Sequence, residues 1–259
     1  HMPKGSTQTR LENIAKEGAA VDIQEMNYDD CVRLAAKEAD ETPRGVMVQD
    51  TAWDGYEEIP SWIMQGYGTM AMEAGEQLKE YGCERPTHIF VQAGVGSLAG
   101  AVVGYFSNLY ADNPPVFVVV EAEAAACLYK GAAAGDGQIR IVDGDMETIM
   151  AGLACGEPNT ISWDILKNHV KVFIAAPDWV AATGMRMLGA PIKGDAPVTS
   201  GESGAAPFGA LAAVMSMDEY ADLRKDIGLD ENSRVLLFST EGDTDPDRYK
   251  NIVWKGLDK

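Results

Sequence analysis

Short apolar runs alternate with longer amphipathic stretches along most of this chain. Apolar residues at helical spacing predict helices over 7–17, 28–39, 59–81, 98–110, 179–188 and 207–217. Continuous apolar runs bounded by turn residues predict strands over 87–91, 116–120, 170–175 and 234–238. Weaker strand signals occur at the apolar run 19–23 and at 45–49, and the Gly- and Ala-rich segment 130–144 is expected to form a surface loop followed by a short strand.

The order of these elements predicts an α/β fold. Strands alternate with helices, and the valine run at 116–120 is typical of a strand that is buried on both faces. We therefore expect a parallel sheet, in which ligands bind at the carboxyl ends of the strands.

A glycine loop connects the strand at 87–91 to the next helix. Residues 92–100 read Gln-Ala-Gly-Val-Gly-Ser-Leu-Ala-Gly. The first turn of a helix has unpaired N–H groups and the positive end of the helix dipole, so this junction suits a phosphate. The same residues also suit a tight strand-to-helix turn that binds nothing.

Composition narrows the classes of partner. The 259 residues are 46% apolar, enough for a substantial core, and a net charge of −19 disfavours nucleic acid and anionic membranes. We find no apolar run of membrane-spanning length and no signal segment, and we expect a cytoplasmic protein. Four scattered cysteines and three histidines show no metal-ligand spacing, so no metal site is expected.

Other motif interpretations are weaker. Gly94, Gly96 and Gly100, with Glu121 about twenty residues later, resemble the fingerprint of an NAD-binding Rossmann-type oxidoreductase, although the third glycine is one residue too far along. An NAD-binding oxidoreductase is therefore kept as the alternative function. Residues 201–205 miss the G-x-S-x-G motif of serine hydrolases, and no P-loop motif occurs.

One segment resembles a known family. Residues 49–60 read Gln-Asp-Thr-Ala-Trp-Asp-Gly-Tyr-Glu-Glu-Ile-Pro, and residues 62–67 read Trp-Ile-Met-Gln-Gly-Tyr. This stretch resembles the diaminopropionate ammonia-lyases, pyridoxal-phosphate (PLP) enzymes of the tryptophan synthase β-like fold (fold type II). The likeness covers nearly the whole chain, through 2–6, 10–14, 27–30, 92–100, 149–158, 200–205 and 238–245.

The resemblance implies a fold of three layers, with doubly wound, mostly parallel sheets. It implies a lyase that converts 2,3-diaminopropionate to pyruvate and ammonia, uses pyridoxal 5'-phosphate and forms a homodimer. It also implies that residues 1–48 are part of an incomplete small domain and that 49–259 form the large domain.

The resemblance also implies roles for particular residues. Asp50 matches the Cα base, although an Asx-turn or cap before 51–55 would also suit it. The phosphate would be held by the backbone amides of Gly94, Val95, Gly96, Ser97 and Leu98. Either Ser239 or Thr240 would meet the pyridine nitrogen, unless they only form a turn before Gly242. Glu202 and Ser203 would line the site, with a plain loop carboxylate as the other interpretation of Glu202.

The Schiff-base lysine of the family precedes the Met-Pro-Lys-Gly-Ser motif, which begins here at Met2. No lysine of this chain matches it, so we expect the chain alone to form no imine with the cofactor and to show no lyase activity. A non-catalytic cofactor-binding fragment or a pseudoenzyme is therefore a further alternative. Cys127 and Cys155 flank the Gly-rich segment, and they either form a disulfide or remain free thiols. Thiol titration with and without reductant distinguishes the two states.

Overall fold

A computed structural model describes residues 1–258, and at its centre lies a four-stranded parallel sheet. The strands are β1 (His88–Gln92), β2 (Val116–Ala122), β3 (Val170–Ala176) and β4 (Val235–Leu237), in the spatial order β3-β2-β1-β4. In register, Phe90 of β1 lies between Val118 of β2 and Leu237 of β4. All four core strands lie where the sequence predicts them, within two residues at each end.

Helices account for most of the remaining chain. They are α1 (Gln8–Lys16), α2 (Tyr28–Glu41), α3 (Glu58–Glu80), α4 (Ser97–Leu109), α5 (Cys127–Ala134), α6 (Thr160–His169), α7 (Asp178–Gly189), α8 (Glu202–Ser216), α9 (Ala221–Ile227) and α10 (Pro246–Val253). Over residues 1–258 none of these helices is long and apolar enough to cross a membrane.

The sheet is buried on both faces because its side chains alternate between two apolar cores. Phe90 and Val118 pack with α7, α8 and α10 on one face. Phe117 and Val119 pack with α3, α4 and α6 on the other face. Helices on both faces of a parallel sheet form the three-layer, doubly wound arrangement, and the expected α/β class is confirmed.

Two of the expected strands in the first fifty residues are absent from the structure. The run 19–23 forms only an isolated bridge between Ile23 and Met2. Residues 45–49 form no strand, and Val46 and Val48 are 68% and 70% exposed. A strand is stabilised by a pairing partner and a buried face, and this segment has neither within residues 1–258.

Two further predictions are wrong in detail. Segment 130–144 begins inside α5 and contains no strand after the helix ends. The buried carboxylate of Glu121 accepts hydrogen bonds from the amides of Leu128 and Tyr129 and so caps the start of this helix. Helix α8 begins at Glu202, five residues before the predicted start, and contains Pro207 within it. The helices α5, α6, α9 and α10 were not predicted.

Helices α7 and α8 pack at very short distance through two glycines. A Cβ at Gly209 of α8 would lie 1.9 Å from the carbonyl oxygen of Val180, and one at Gly184 of α7 would lie 2.4 Å from that of Ala205. Neither backbone oxygen can rotate away as a side chain could. The spacing of the two helices therefore depends on the absence of these side-chain carbons.

We expect Gly209→Ala to reduce the free energy of unfolding by about 1–3 kcal/mol, since the two helices must move apart. The matched control is Gly66→Ala in α3, where a Cβ meets nothing within 4 Å. There alanine is expected to stabilise the helix by roughly 0.5–1 kcal/mol. Urea denaturation measures both variants, and equal stability of the two would contradict the packing argument.

Candidate active site

A cavity of about 350 Å³ lies at the carboxyl ends of β1 and β4. Its walls come from the glycine loop, the turns that follow β4, and segments contributed by α2, α3 and α8. The lining residues are Tyr28, Asp50, Tyr67, 92–98, 151–153, Cys155, Ser203, Thr240 and Glu241. The structure therefore brings Asp50, Gly94–Leu98, Ser203 and Thr240 together, as the sequence predicts.

The glycine loop is shaped to receive an anion. Gly96 precedes α4 with φ of +102°, in the left-handed region that favours glycine, and a Cβ there would lie 2.8 Å from Ser162 Oγ. Within residues 1–258, no acceptor pairs with the amides of Gly96, Ser97 or Leu98. Unpaired amides at a helix N-terminus fit a phosphate group.

Within residues 1–258, no lysine or arginine lines this cavity. Its ionisable groups are the carboxyls of Asp50 and Glu241, two tyrosines and a buried thiol. An anion in the cavity would therefore be held by backbone N–H groups and the dipole of α4.

Asn159 connects the glycine loop to Asp50. Its Nδ2 lies 2.7 Å from the carbonyl oxygen of Asp50 and 2.8 Å from Ser97 Oγ, and the Ser97 hydroxyl donates to the same carbonyl at 2.7 Å. Its Oδ1 accepts from the amides of Ile161 and Ser162 at the start of α6. The side chain of Asn159 is fully buried, so it holds three segments in one arrangement.

The carboxyl group of Asp50 faces the cavity with one hydrogen-bond partner from another side chain. The Tyr67 hydroxyl donates to Asp50 Oδ2 at 3.1 Å. Burial raises the pKa of the Asp50 carboxyl, and the bond from Tyr67 partly offsets that rise. Burial, followed by the charge of Asp50, raises the pKa of Tyr67 to about 12, so the phenol keeps its proton. The Asx-turn interpretation is not favoured, because the carboxylate caps no amide of residues 51–55.

The two candidates for the pyridine nitrogen occupy different surroundings. Thr240 lines the cavity, and its Oγ1 lies 2.9 Å from the Nε2 of Gln92. The Ser239 hydroxyl instead donates to Ser200 Oγ at 2.8 Å and is not among the lining residues.

Glu202 is also outside the cavity lining. It is the first residue of α8, and its carboxylate oxygens lie 3.0 Å from Arg248 Nε and 3.6 Å from Arg10 Nη2. Glu241 takes the lining position instead, with Oε2 accepting from the amide of Ser203 and Oε1 from Arg10. These contacts favour an ion-pair role for Glu202.

Two lining residues, Tyr67 and Gln92, and the buried Asn159 beside them were assigned no site role from the sequence. Tyr67 occurs in the stretch 62–67 that carries the family resemblance, but no role was assigned to it there. Gln92 is visible only as the residue that opens the glycine loop. Asn159 has a local signal as the N-cap of α6, with its Oδ1 on two following amides, but its bond to Asp50 connects residues 109 apart.

The structure also bears on Glu121 and the cysteines. Glu121 is fully buried and caps α5, so its carboxylate is not available to bind a ribose as the NAD alternative requires. All four cysteines are free thiols. Cys127 Sγ lies 3.7 Å from the carbonyl oxygen of Cys155, and burial raises the pKa of the Cys127 thiol.

Comparison with known proteins agrees with this geometry. The model of the family described as pyridoxal-phosphate dependent enzyme matches residues 1–241, and the chain belongs to that family. The fold is shared with maize serine racemase at a TM-score of 0.72 and 20% identity. The Rossmann-type oxidoreductase alternative is therefore wrong.

Two curated relatives are diaminopropionate ammonia-lyases. The chain is 54% identical to that of Salmonella typhimurium and 49% identical to that of Escherichia coli K12, in each case over 99% of this chain and 63% of the relative. It is similar to the crystal structure of the E. coli enzyme in complex with an aminoacrylate-PLP azomethine reaction intermediate, with a TM-score of 0.91 and 46% identity over 99% of this chain and 64% of that one. The chain thus spans about 63% of the length of the curated relatives.

We expect Tyr67→Phe to raise the pKa of Asp50 further, because it removes the donor that favours the ionised carboxylate. The chemical shift of the Asp50 side-chain carboxyl carbon is measured by ¹³C NMR across a pH titration of the unaltered chain and of Tyr67→Phe. The signal is assigned as the one that is lost in Asp50→Asn. A titration midpoint that is the same in both proteins would contradict a functional Tyr67–Asp50 bond.

Proposed function

We propose that this chain carries the phosphate site and the base of a pyridoxal-phosphate-dependent lyase that converts 2,3-diaminopropionate to pyruvate and ammonia. The observation that carries the proposal is the presence of the Asp50 carboxyl and the unpaired amides of the glycine loop in one cavity. The identity of 49–54% to curated diaminopropionate ammonia-lyases supports the choice of substrate.

The cavity fits the cofactor at two places. The amides that open α4 would hold its phosphate, and the hydroxyl of Thr240 would meet its pyridine nitrogen. Once bound, pyridoxal phosphate supplies an electron sink for the charge left when a Cα proton departs. The protein must then provide a base for that proton and a site that keeps the amino acid in place.

Asp50 has the properties that the base requires. Burial raises the pKa of the Asp50 carboxyl, which makes the carboxylate a better proton acceptor than an exposed aspartate. Tyr67 holds one oxygen of the carboxylate, so the other oxygen is free to take the Cα proton. The β-amine would leave as ammonia from its protonated form, which completes the elimination. Water would then hydrolyse the released enamine to pyruvate and a second ammonia.

No lysine of residues 1–258 lines the cavity. We therefore keep the expectation that the chain alone attaches no cofactor covalently and turns over no substrate. The non-catalytic binding fragment is the second candidate function, and this observation favours it for the chain in isolation.

Asp50→Asn is expected to lower kcat by about 10²- to 10⁴-fold in the full product of the gene that encodes this chain. The amide has a similar shape but cannot accept the proton, so cofactor binding should be retained. Pyruvate and ammonia release from 2,3-diaminopropionate measure turnover, and cofactor absorbance measures binding. Full activity in the variant would contradict the assignment of Asp50.

A second experiment uses the 259-residue chain. Pyridoxal phosphate is added, the ultraviolet–visible spectrum is recorded, and borohydride reduction followed by mass spectrometry locates any modified lysine. Binding without a modified lysine or turnover is the expected result. Turnover by the chain would overturn the inactivity hypothesis, and absence of binding would contradict the cofactor site.

Three expectations from the sequence stay predictions. They are a homodimer, a cytoplasmic location, and a division between a small domain at 1–48 and a large domain at 49–259. Analytical ultracentrifugation tests the first, and limited proteolysis around residue 48 tests the third.

A further inference from the structure

Gln92 lies where the glycine loop and the end of β4 meet. It is the last residue of β1, only 2% exposed, and it lines the cavity. Its Nε2 lies 2.9 Å from the carbonyl oxygen of Phe238 and 2.9 Å from Oγ1 of Thr240. The two hydrogens of the amide nitrogen are thus both used.

These two contacts determine which way each hydrogen bond runs. The carbonyl oxygen of Phe238 can only accept, so the nitrogen of the Gln92 amide must face it. That nitrogen can only donate, so the Thr240 oxygen must be the acceptor of the second bond. The single hydroxyl proton of Thr240 is consequently free for another partner.

This orientation of the Gln92 amide leaves its oxygen without a hydrogen bond, which is unfavourable for a buried polar atom. Gln92 Oε1 is buried and has no hydrogen-bond partner within residues 1–258. If the amide were turned over, Oε1 would face the Phe238 carbonyl oxygen and two acceptors would repel each other. The amide therefore keeps its orientation, although this leaves Oε1 without a partner. A buried polar atom without a partner calls for an explanation in the use of the site.

We propose that Gln92 is a positioning residue that makes the Thr240 hydroxyl a hydrogen-bond donor to the ring nitrogen of the bound cofactor. This inference rests on the proposed function and deepens it. A donor at that place selects the unprotonated nitrogen, because a protonated ring nitrogen has no lone pair to accept the bond. Ser239 cannot take this role while its hydroxyl donates to Ser200.

The test uses pyridoxine 5'-phosphate, which has the ring and the phosphate but no aldehyde, so no lysine is needed for binding. Its affinity for the 259-residue chain is measured by calorimetry and compared with that of its 1-deaza analogue, in which C–H replaces the ring nitrogen. Ring absorbance across a pH series gives the pKa of the ring nitrogen in the free and bound ligand.

For the unaltered chain, we expect the bound ring nitrogen to have a lower pKa than the free one. We also expect the pyridine ligand to bind roughly 2- to 10-fold more tightly than its 1-deaza analogue. Thr240→Val should remove both effects, whereas Thr240→Ser should keep them. Ser239→Ala should leave the shift of the ring nitrogen in place.

The variants of Gln92 test positioning itself. In Gln92→Glu the carboxylate accepts from Thr240, so the hydroxyl lone pairs face the ring and the pKa shift should shrink or reverse. Gln92→Met leaves the Thr240 hydroxyl free to rotate and should reduce the pKa shift of the ring nitrogen. This variant also tests the inference if the glutamate variant does not fold. The matched control is Gln8→Glu in α1, where Gln8 bonds only to Glu12 at the surface.

Two outcomes would overturn the inference in different ways. A ring-nitrogen shift that is unchanged in both Gln92→Glu and Gln92→Met would overturn the role of Gln92 alone. Failure of pyridoxine 5'-phosphate to bind the unaltered chain would overturn the cofactor site and this inference together.

Discussion

The arrangement of the site depends on one buried amide, that of Asn159. Its nitrogen donates to the Asp50 carbonyl and to Ser97, and its oxygen accepts from two amides of α6. Both ends of the side chain are thus used, and a fully satisfied buried polar group holds its neighbours in one geometry. As a result the backbone of Asp50 and the start of α4 are held at a fixed distance from each other, so the proposed base and the proposed phosphate site are positioned by the same residue.

The parallel sheet supplies the second constraint. β1 and β4 are neighbours and run in the same direction, so the residues that follow them reach the same edge. Continuing their register places Gln92 next to the start of the turn after β4, which explains why its amide reaches both Phe238 and Thr240. The close packing of α7 against α8 fixes the start of α8, where Glu241 meets Ser203.

Local patterns were enough to predict the core of this fold. The apolar runs of β1 to β4 and the glycine loop are continuous in sequence, and each was found within two residues. The failures have physical causes outside the local sequence. Val46 and Val48 have strand-forming side chains but no partner strand within residues 1–258, and the start of α5 is capped by Glu121 of β2. The site was predicted in part through family resemblance. Gln92, Tyr67 and Asn159 were missed because their partners lie 148, 17 and 109 residues away.

The absence of lysine and arginine among the cavity-lining residues has a consequence for selectivity. In a chain of net charge −19, a patch of cationic side chains would attract many polyanions at long range. Backbone amides act only at contact distance, so an anion must fit the curve of the loop before it is held. Backbone amides also do not change their charge with pH, whereas the carboxyl of Asp50 titrates, with a pKa that burial raises. The groups that would hold the anion therefore keep the same charge at every pH, whereas the group proposed to take the proton does not, and the two properties can change separately in evolution.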